Sequence, residues 1–158
     1  MKKQSLEIEV AIQIQKPVNT VFEAIVNPIK MSNYFISKSS GRMIEGEQVR
    51  WKFPEFEEDF PINVGKISQD SYISYHWEID GEDLLVEMTL TPLENDETVV
   101  TITEKSRDND DAGLRWLKSN TAGWANFLAC LKAYLEYGIN LRKGAFDFLR
   151  KKTLRAPS

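Results

Sequence analysis

An α+β domain, with a curved antiparallel sheet wrapped around one long helix, is what this sequence predicts, and three observations carry the prediction. A long amphipathic segment falls almost at the end of the chain, after a run of short alternating strands. Its apolar residues recur as Leu114, Leu117, Thr121, Trp124, Leu128, Leu131 and Leu135, steps of three and four that hold one stripe on one face, with Thr121 its polar interruption. Between residues 37 and 105 the strand-like segments are linked by tight-turn signals, which implies sequential hairpins with one face packed and the other wet. A stripe of that length must be covered, and the upstream sheet is the partner of matching size.

Residues 6 to 14 alternate, with Leu6, Ile8, Val10, Ile12 and Ile14 opposite Glu7, Glu9 and Gln13, the pattern of a half-buried strand. Pro17 suits a first helical position, and Val18, Val21, Phe22, Ile25 and Val26 follow at helical spacing to about Asn27. Pro28 restarts the chain, and Ile29, Met31, Tyr34 and Phe35 suggest a second short helical piece. Strands are expected at 38–43, 48–53, 60–67, 72–79, 84–92 and 97–105, with Asp80-Gly81 a strong hairpin signal because both residues accept positive φ. Parity points Val49, Trp51 and Phe53, then Ile62 and Val64, Tyr75 and Trp77, Val86 and Met88, and Val100 and Ile102 inward together. Asp108, Asn109, Asp110 and Asp111 offer helix caps whose charges suit the positive end of the macrodipole. A helix from there to Tyr137 would be roughly 39 Å long. Gly113 invites a break in it, and Gly138 is the expected terminator. Phe146, Phe148 and Leu149 could add a small turn docked on the body.

The totals bound the function. With 158 residues the chain, 1–158, fits a single domain able to bury a core without metal or disulfide staples. No apolar run approaches the roughly 20 residues that span a bilayer, so integral membrane association is not expected. The charges of Glu7 and Glu9 interrupt any apolar stretch of the kind a secretory signal needs, and Cys130 stands alone; both features point to the cytoplasm. A net charge of −4 argues against nucleic acid as a partner. That average conceals an acidic cluster at Glu55, Glu57, Glu58 and Asp59 and a basic tail at Arg142, Lys143, Arg150, Lys151, Lys152 and Arg155. Either could meet a partner surface, anionic lipid or nucleic acid in the case of the tail, and either could simply be solvated.

The order strand, two short helices, meander and closing helix is the helix-grip order. It resembles the START-related ligand-binding superfamily and, within it, the activators of the heat-shock protein 90 ATPase and their bacterial relatives. The residues carrying the likeness are Glu9-Val10-Ala11-Ile12 with Pro17, Val21, Phe22 and Ile25, then Tyr75-His76-Trp77-Glu78, Gly123-Trp124-Ala125-Asn126-Phe127-Leu128 and Leu131 to Gly138. The resemblance implies a sheet gripping the helix, with a cavity between them that varies among members. It implies no shared catalytic residues, and the superfamily spans lipid carriage, polyketide cyclisation and chaperone activation.

Trp51, Phe53, Tyr75, Trp77, Met88, Trp124 and Leu128, with Phe127, could line such a cavity or fill the core. Thr121 could offer the cavity a hydroxyl or bond back to the Leu117 carbonyl. Glu104 shares the inward parity of Val100 and Ile102, yet a wet strand end is the expected place for it. His76 has outward parity, and Cys130 lies about 200° around the helix from Leu128, off the stripe, which disfavours a Cys–His dyad. No catalytic residue, metal-ligand cluster, nucleotide motif or cofactor site is legible. The expected function is binding of a small hydrophobic or lipid-like molecule. The alternatives are a chaperone-binding interaction domain and a cyclase- or hydratase-like enzyme using Glu104, Tyr75 or Tyr34.

Overall fold

The computed structural model describes residues 4–154. Arg155 of the basic tail lies outside them, and the side chains of Lys151 and Lys152 are likewise not described. The elements are β1 (Ser5–Ile14), α1 (Val18–Val26), α2 (Pro28–Met31), β2 (Lys38–Ser39), β3 (Gln48–Lys52), β4 (Asp59–Ser68), β5 (Tyr72–Ile79), β6 (Glu82–Leu93), β7 (Glu97–Asp108), α3 (Asp111–Tyr137) and α4 (Asp147–Leu154). The seven strands form one antiparallel sheet in the order β1-β7-β6-β5-β4-β3-β2, so the first strand closes the meander against the last. This is the α+β helix-grip architecture expected from the sequence.

The sheet curves because its ladders are interrupted. One extra residue is accommodated in β4 between Val64 and Ile67, opposite Tyr75 and Ile73, and a further irregularity lies at Leu6/Glu7 of β1. At the first of these Gly65 is needed for space, since a Cβ there would come within 2.7 Å of the Ser74 hydroxyl. Asp80 and Gly81 form the two-residue turn between β5 and β6, both with positive φ (51° and 80°), the geometry that matches strand twist.

The concave face carries the core. Trp51, Ile62, Ile73, Tyr75, Leu84, Val86, Met88, Val100 and Ile102 are buried on it, and Trp124, Phe127, Leu128 and Leu131 of α3 are buried with them. The C-terminal end of α3 is fastened to the end of β1: Lys132 Nζ donates to the Gln13 carbonyl (2.8 Å) and the Gln15 amide donates to Glu136 (2.8 Å).

Three local outcomes depart from the sequence reading. The strand expected at 38–43 pairs only at Lys38 and Ser39, because Ser39 Oγ turns back to bond Gly41 and Met43 N–H is taken by the Val26 carbonyl (3.1 Å). Gly113 does not break α3. Its amide is capped by Asp110 Oδ1 (2.8 Å), and a Cβ at this position would overlap the Asp108 carbonyl oxygen, so the close approach of strand end and helix start requires glycine. At this end the buried stripe runs through Gly113 and Trp116, leaving Leu114 40% exposed, since either register satisfies the helical period. Gly138 terminates α3 at φ 66°, with its amide and that of Ile139 returning to Tyr134 and Ala133 carbonyls.

Candidate functional site

Where β3 and β5 run past the middle of α3, the aromatic side chains leave a cavity of about 510 Å³. The strand ends give Trp77 and Ile79, and the chain after β3 gives Phe53, Glu55 and Phe56. Along α3 the wall is Asn120, Gly123, Trp124, Asn126, Phe127 and Cys130, and Arg142, Phe146 and Leu149 complete it. Phe35, which follows α2, is the hub of these rings. Its ring lies edge-on to Phe127 (4.7 Å between centroids), Phe53 (5.1 Å) and Trp51 (5.6 Å), while Trp77 and Trp124 meet at 5.7 Å. The sequence placed Phe35 in a second short helical piece, but α2 ends at Met31 and Phe35 lies in the turn after it, which frees its ring for this role.

The residues singled out from the sequence divide into two groups. Phe53, Trp77 and Trp124 are in the cavity wall. Trp51, Tyr75, Met88 and Leu128 are buried in the core behind it, and Thr121 sits half-buried on α3 outside the wall. Cys130, expected off the stripe, is buried, because α3 is covered by the sheet on one side and by the segment after Gly138 on another. Burial pushes its thiol up, with Arg142 acting the other way. His76 is on the outer face and pairs with Asp83 (3.1 Å), far in role from Cys130. Among the described residues no group of three His, Cys, Asp or Glu side chains could hold a metal ion.

Glu104 departs most from expectation. Because β7 continues to Asp108 and is flanked at this position by Ile8 of β1 and Val86 of β6, Glu104 is not at a wet strand end: it is fully buried. Its oxygens accept from three neutral donors, the Trp77 indole (2.7 Å), the Asn120 amide (2.9 Å) and the Trp124 indole (3.2 Å). Both cavity tryptophans therefore hang from one carboxylate. Neither of the nearby phenols bonds Glu104. Tyr34 donates to the Ala24 carbonyl (2.9 Å), and Tyr75 has its hydroxyl buried without a partner. Burial pushes both well above the usual phenol range, helped at Tyr34 by Tyr134 and at Tyr75 by Glu104 and then Tyr34.

One side of the cavity is walled by a contact between Glu55 and Arg142. Arg142 donates through both terminal nitrogens to Glu55 (2.6 and 3.2 Å), with side-chain exposures of only 12% and 5%. Its guanidinium also lies over the Phe53 ring (5.5 Å) and the Phe146 ring (5.0 Å), and Arg150 bonds the Pro54 carbonyl. The opposite charges of the two segments were the signal in the sequence: Glu55 of the acidic cluster pairs with Arg142 of the tail, while Asp59 pairs with Arg50 of β3 (2.7 Å).

Similar proteins place this geometry. A protein from Staphylococcus saprophyticus, SSP2350, superposes with a TM-score of 0.77 at 31% identity, over 87% of this chain and 96% of its own. DynU16, described as a putative protein in the dynemicin biosynthetic locus, matches at 24% identity and TM-score 0.75, over 84% of this chain and 48% of its own. The Aha1 dimer of Colwellia psychrerythraea matches at 19% identity and TM-score 0.72, over 84% of this chain and 98% of its own. The last two likenesses establish the fold alone. No curated protein matches the sequence. Among the described residues no helix is long and apolar enough to cross a membrane. Residues 15–136 match the family described as Activator of Hsp90 ATPase homolog 1-like protein, and with the gripped helix, the sheet order and the Staphylococcus relative in agreement, the chain belongs to that family.

Proposed function

We propose that the protein binds a small, largely apolar molecule in the cavity between α3, the β3 and β5 ends and the segment after Gly138. The observation that carries this reading is the cavity itself: about 510 Å³ of space with an aromatic wall, in the size range of small-molecule sites. Its polar groups are few: the Asn120 and Asn126 amides, Ser119 and the Glu55–Arg142 pair. A neutral fluorescent probe, N-phenylnaphthylamine, is expected to brighten on binding and to quench Trp77 and Trp124. Ala122→Trp, at a wall position exposed to solvent, is expected to fill the space and abolish the signal without unfolding the chain. Full probe binding by the filled variant, or none by the parent, would overturn the reading.

A second reading, action on a chaperone through the surface, is favoured by the family match and by the likeness to the Colwellia Aha1 dimer. Pull-down with an Hsp90-type chaperone, with and without nucleotide, tests it; no retained complex counts against it. An acid–base enzyme is favoured by nothing in the geometry, since neither Glu104 nor Tyr75 is in the cavity wall and the Tyr34 hydroxyl is spent on Ala24.

A further inference from the structure

We infer that the ligand of this cavity carries a positive charge, as an amine or quaternary ammonium on an apolar body. This rests on the cavity being a binding site and adds its electrostatics. Among the described residues the charged side chains of the wall are Glu55 and Arg142, which cancel one another. Glu104 lies behind that wall, fully buried, and no ion pair among the described residues includes it. Its three partners are all N–H donors, the set that suits a carboxylate acting purely as acceptor. A buried anion with neutral partners alone is a cost to the fold, and a cation entering the cavity offsets it.

The two indoles transmit this charge. Each donates its N–H to Glu104, so electron density is pushed into two rings that line the wall. Tryptophan is already the best cation–π partner, and desolvation strengthens the attraction further. Cation, aromatic wall and buried carboxylate thus act in one direction, while for an anionic ligand the wall's one cation among the described residues, Arg142, is already occupied by Glu55.

The test compares three probes of matched shape by tryptophan quenching and calorimetry: phenylbutyl-trimethylammonium, its neutral tert-butyl isostere and phenylpentanoate. The expected order is cation tightest, by about tenfold over the neutral isostere. Glu104→Gln turns an amide NH2 toward one of the N–H donors and so lowers stability, but in the folded variant it should erase that ratio while leaving the affinity for the neutral isostere unchanged, which a purely structural role for Glu104 would not produce. If that variant fails to fold, Trp77→Phe, which keeps a ring and deletes the N–H, should lower the ratio by about threefold. Equal binding of cation and isostere, tightest binding of the carboxylate, or a ratio unchanged in the variants would overturn the inference and leave the cavity reading intact. Failure of all three probes would remove the cavity reading and this one together.

Discussion

Replacing Arg142 with methionine should release the C-terminal segment from the cavity while leaving the sheet and α3 in place. The substitution keeps an apolar stem and removes the charge and the two donors that hold Glu55 at 2.6 and 3.2 Å. Breaking a buried pair costs about 3 kcal/mol or more when the remaining charge stays buried, and the lost ring contacts with Phe53 and Phe146 add roughly 0.5–1 kcal/mol each. The segment can escape most of this by swinging away and letting Glu55 hydrate. The loss is therefore taken in the closing equilibrium of the segment, about a hundredfold for 3 kcal/mol, rather than in global stability. Native-state hydrogen exchange read by mass spectrometry should show faster exchange at residues 139–150, with α3 amides unmoved and a nearly constant urea midpoint. Adding Glu55→Gln to the same chain should restore part of the protection, because no unpaired charge is then left to expel. The reasoning is refuted if exchange in the segment is unchanged, or if the midpoint falls by as much as it does for a core truncation.

Trp51→Ala removes a ring only 1% exposed, in contact with Phe35, Tyr75 and Trp77, and should cost about 3–5 kcal/mol by urea denaturation; Phe56→Ala, 43% exposed, should cost under about 1 kcal/mol. Gly113→Ala should destabilise because its methyl meets the Asp108 carbonyl, whereas Gly123→Ala, with open space at the Cβ, should gain about 0.5–1 kcal/mol, both read as shifts in thermal midpoint. Glu23 is held at about 2 by hydrogen bonds from the Arg42 guanidinium (2.8 and 2.9 Å) and then the Asn27 amide, with burial opposing. Its folded pKa lies below the unfolded value of 4.5, so the unfolded chain binds the extra proton, and this stabilisation is present above pH 4.5 and lost as pH falls toward 2. Both side chains are more than a third exposed, so screening limits the contribution to about 0.5–1 kcal/mol; Glu23→Gln should lose that much near neutrality and flatten the acid limb of stability against pH.

The elements legible in the sequence were those whose cause is local. Alternation wrote β1 and the meander, Asp80-Gly81 wrote a turn that demands two positive φ values, and Gly138 wrote the end of α3. Legibility failed where two local rules tied or where a distant group decided. Gly113 looked like a weak helix residue because its propensity is local, while its reason, the Asp108 carbonyl arriving against the helix start, is tertiary. Leu114 and Trp116 both fit the helical period, and only the packing of the strand ends selected Trp116 for burial. Ser39 and Gly41 ended β2 early through side-chain bonds that compete with a ladder.

The site was less legible because its parts are brought together by charges that sequence reading treats as surface. Parity placed Glu104 on the inward face, yet the usual rule that carboxylates seek water sent it to the strand end. What overrides the rule is a set of donors from two elements, Trp77 on β5 and Asn120 and Trp124 on α3, none of which marks itself as a carboxylate ligand. The same logic joins Glu55 and Arg142, 87 residues apart: each is unremarkable in its own run of like charges, and each becomes half of a buried pair once α3 turns back at Gly138. Apolar patterning thus specifies that a helix is gripped, while the two buried carboxylates specify what the grip leaves room for. Glu104 bonds both indoles in the wall and Glu55 holds the segment that walls one side of the cavity, so the volume between them depends on charged side chains rather than on the stripe that builds the fold. A relative with the same apolar periodicity but without these two carboxylates should keep the architecture and lose the cavity's shape, which a comparison of cavity volumes across the family can decide.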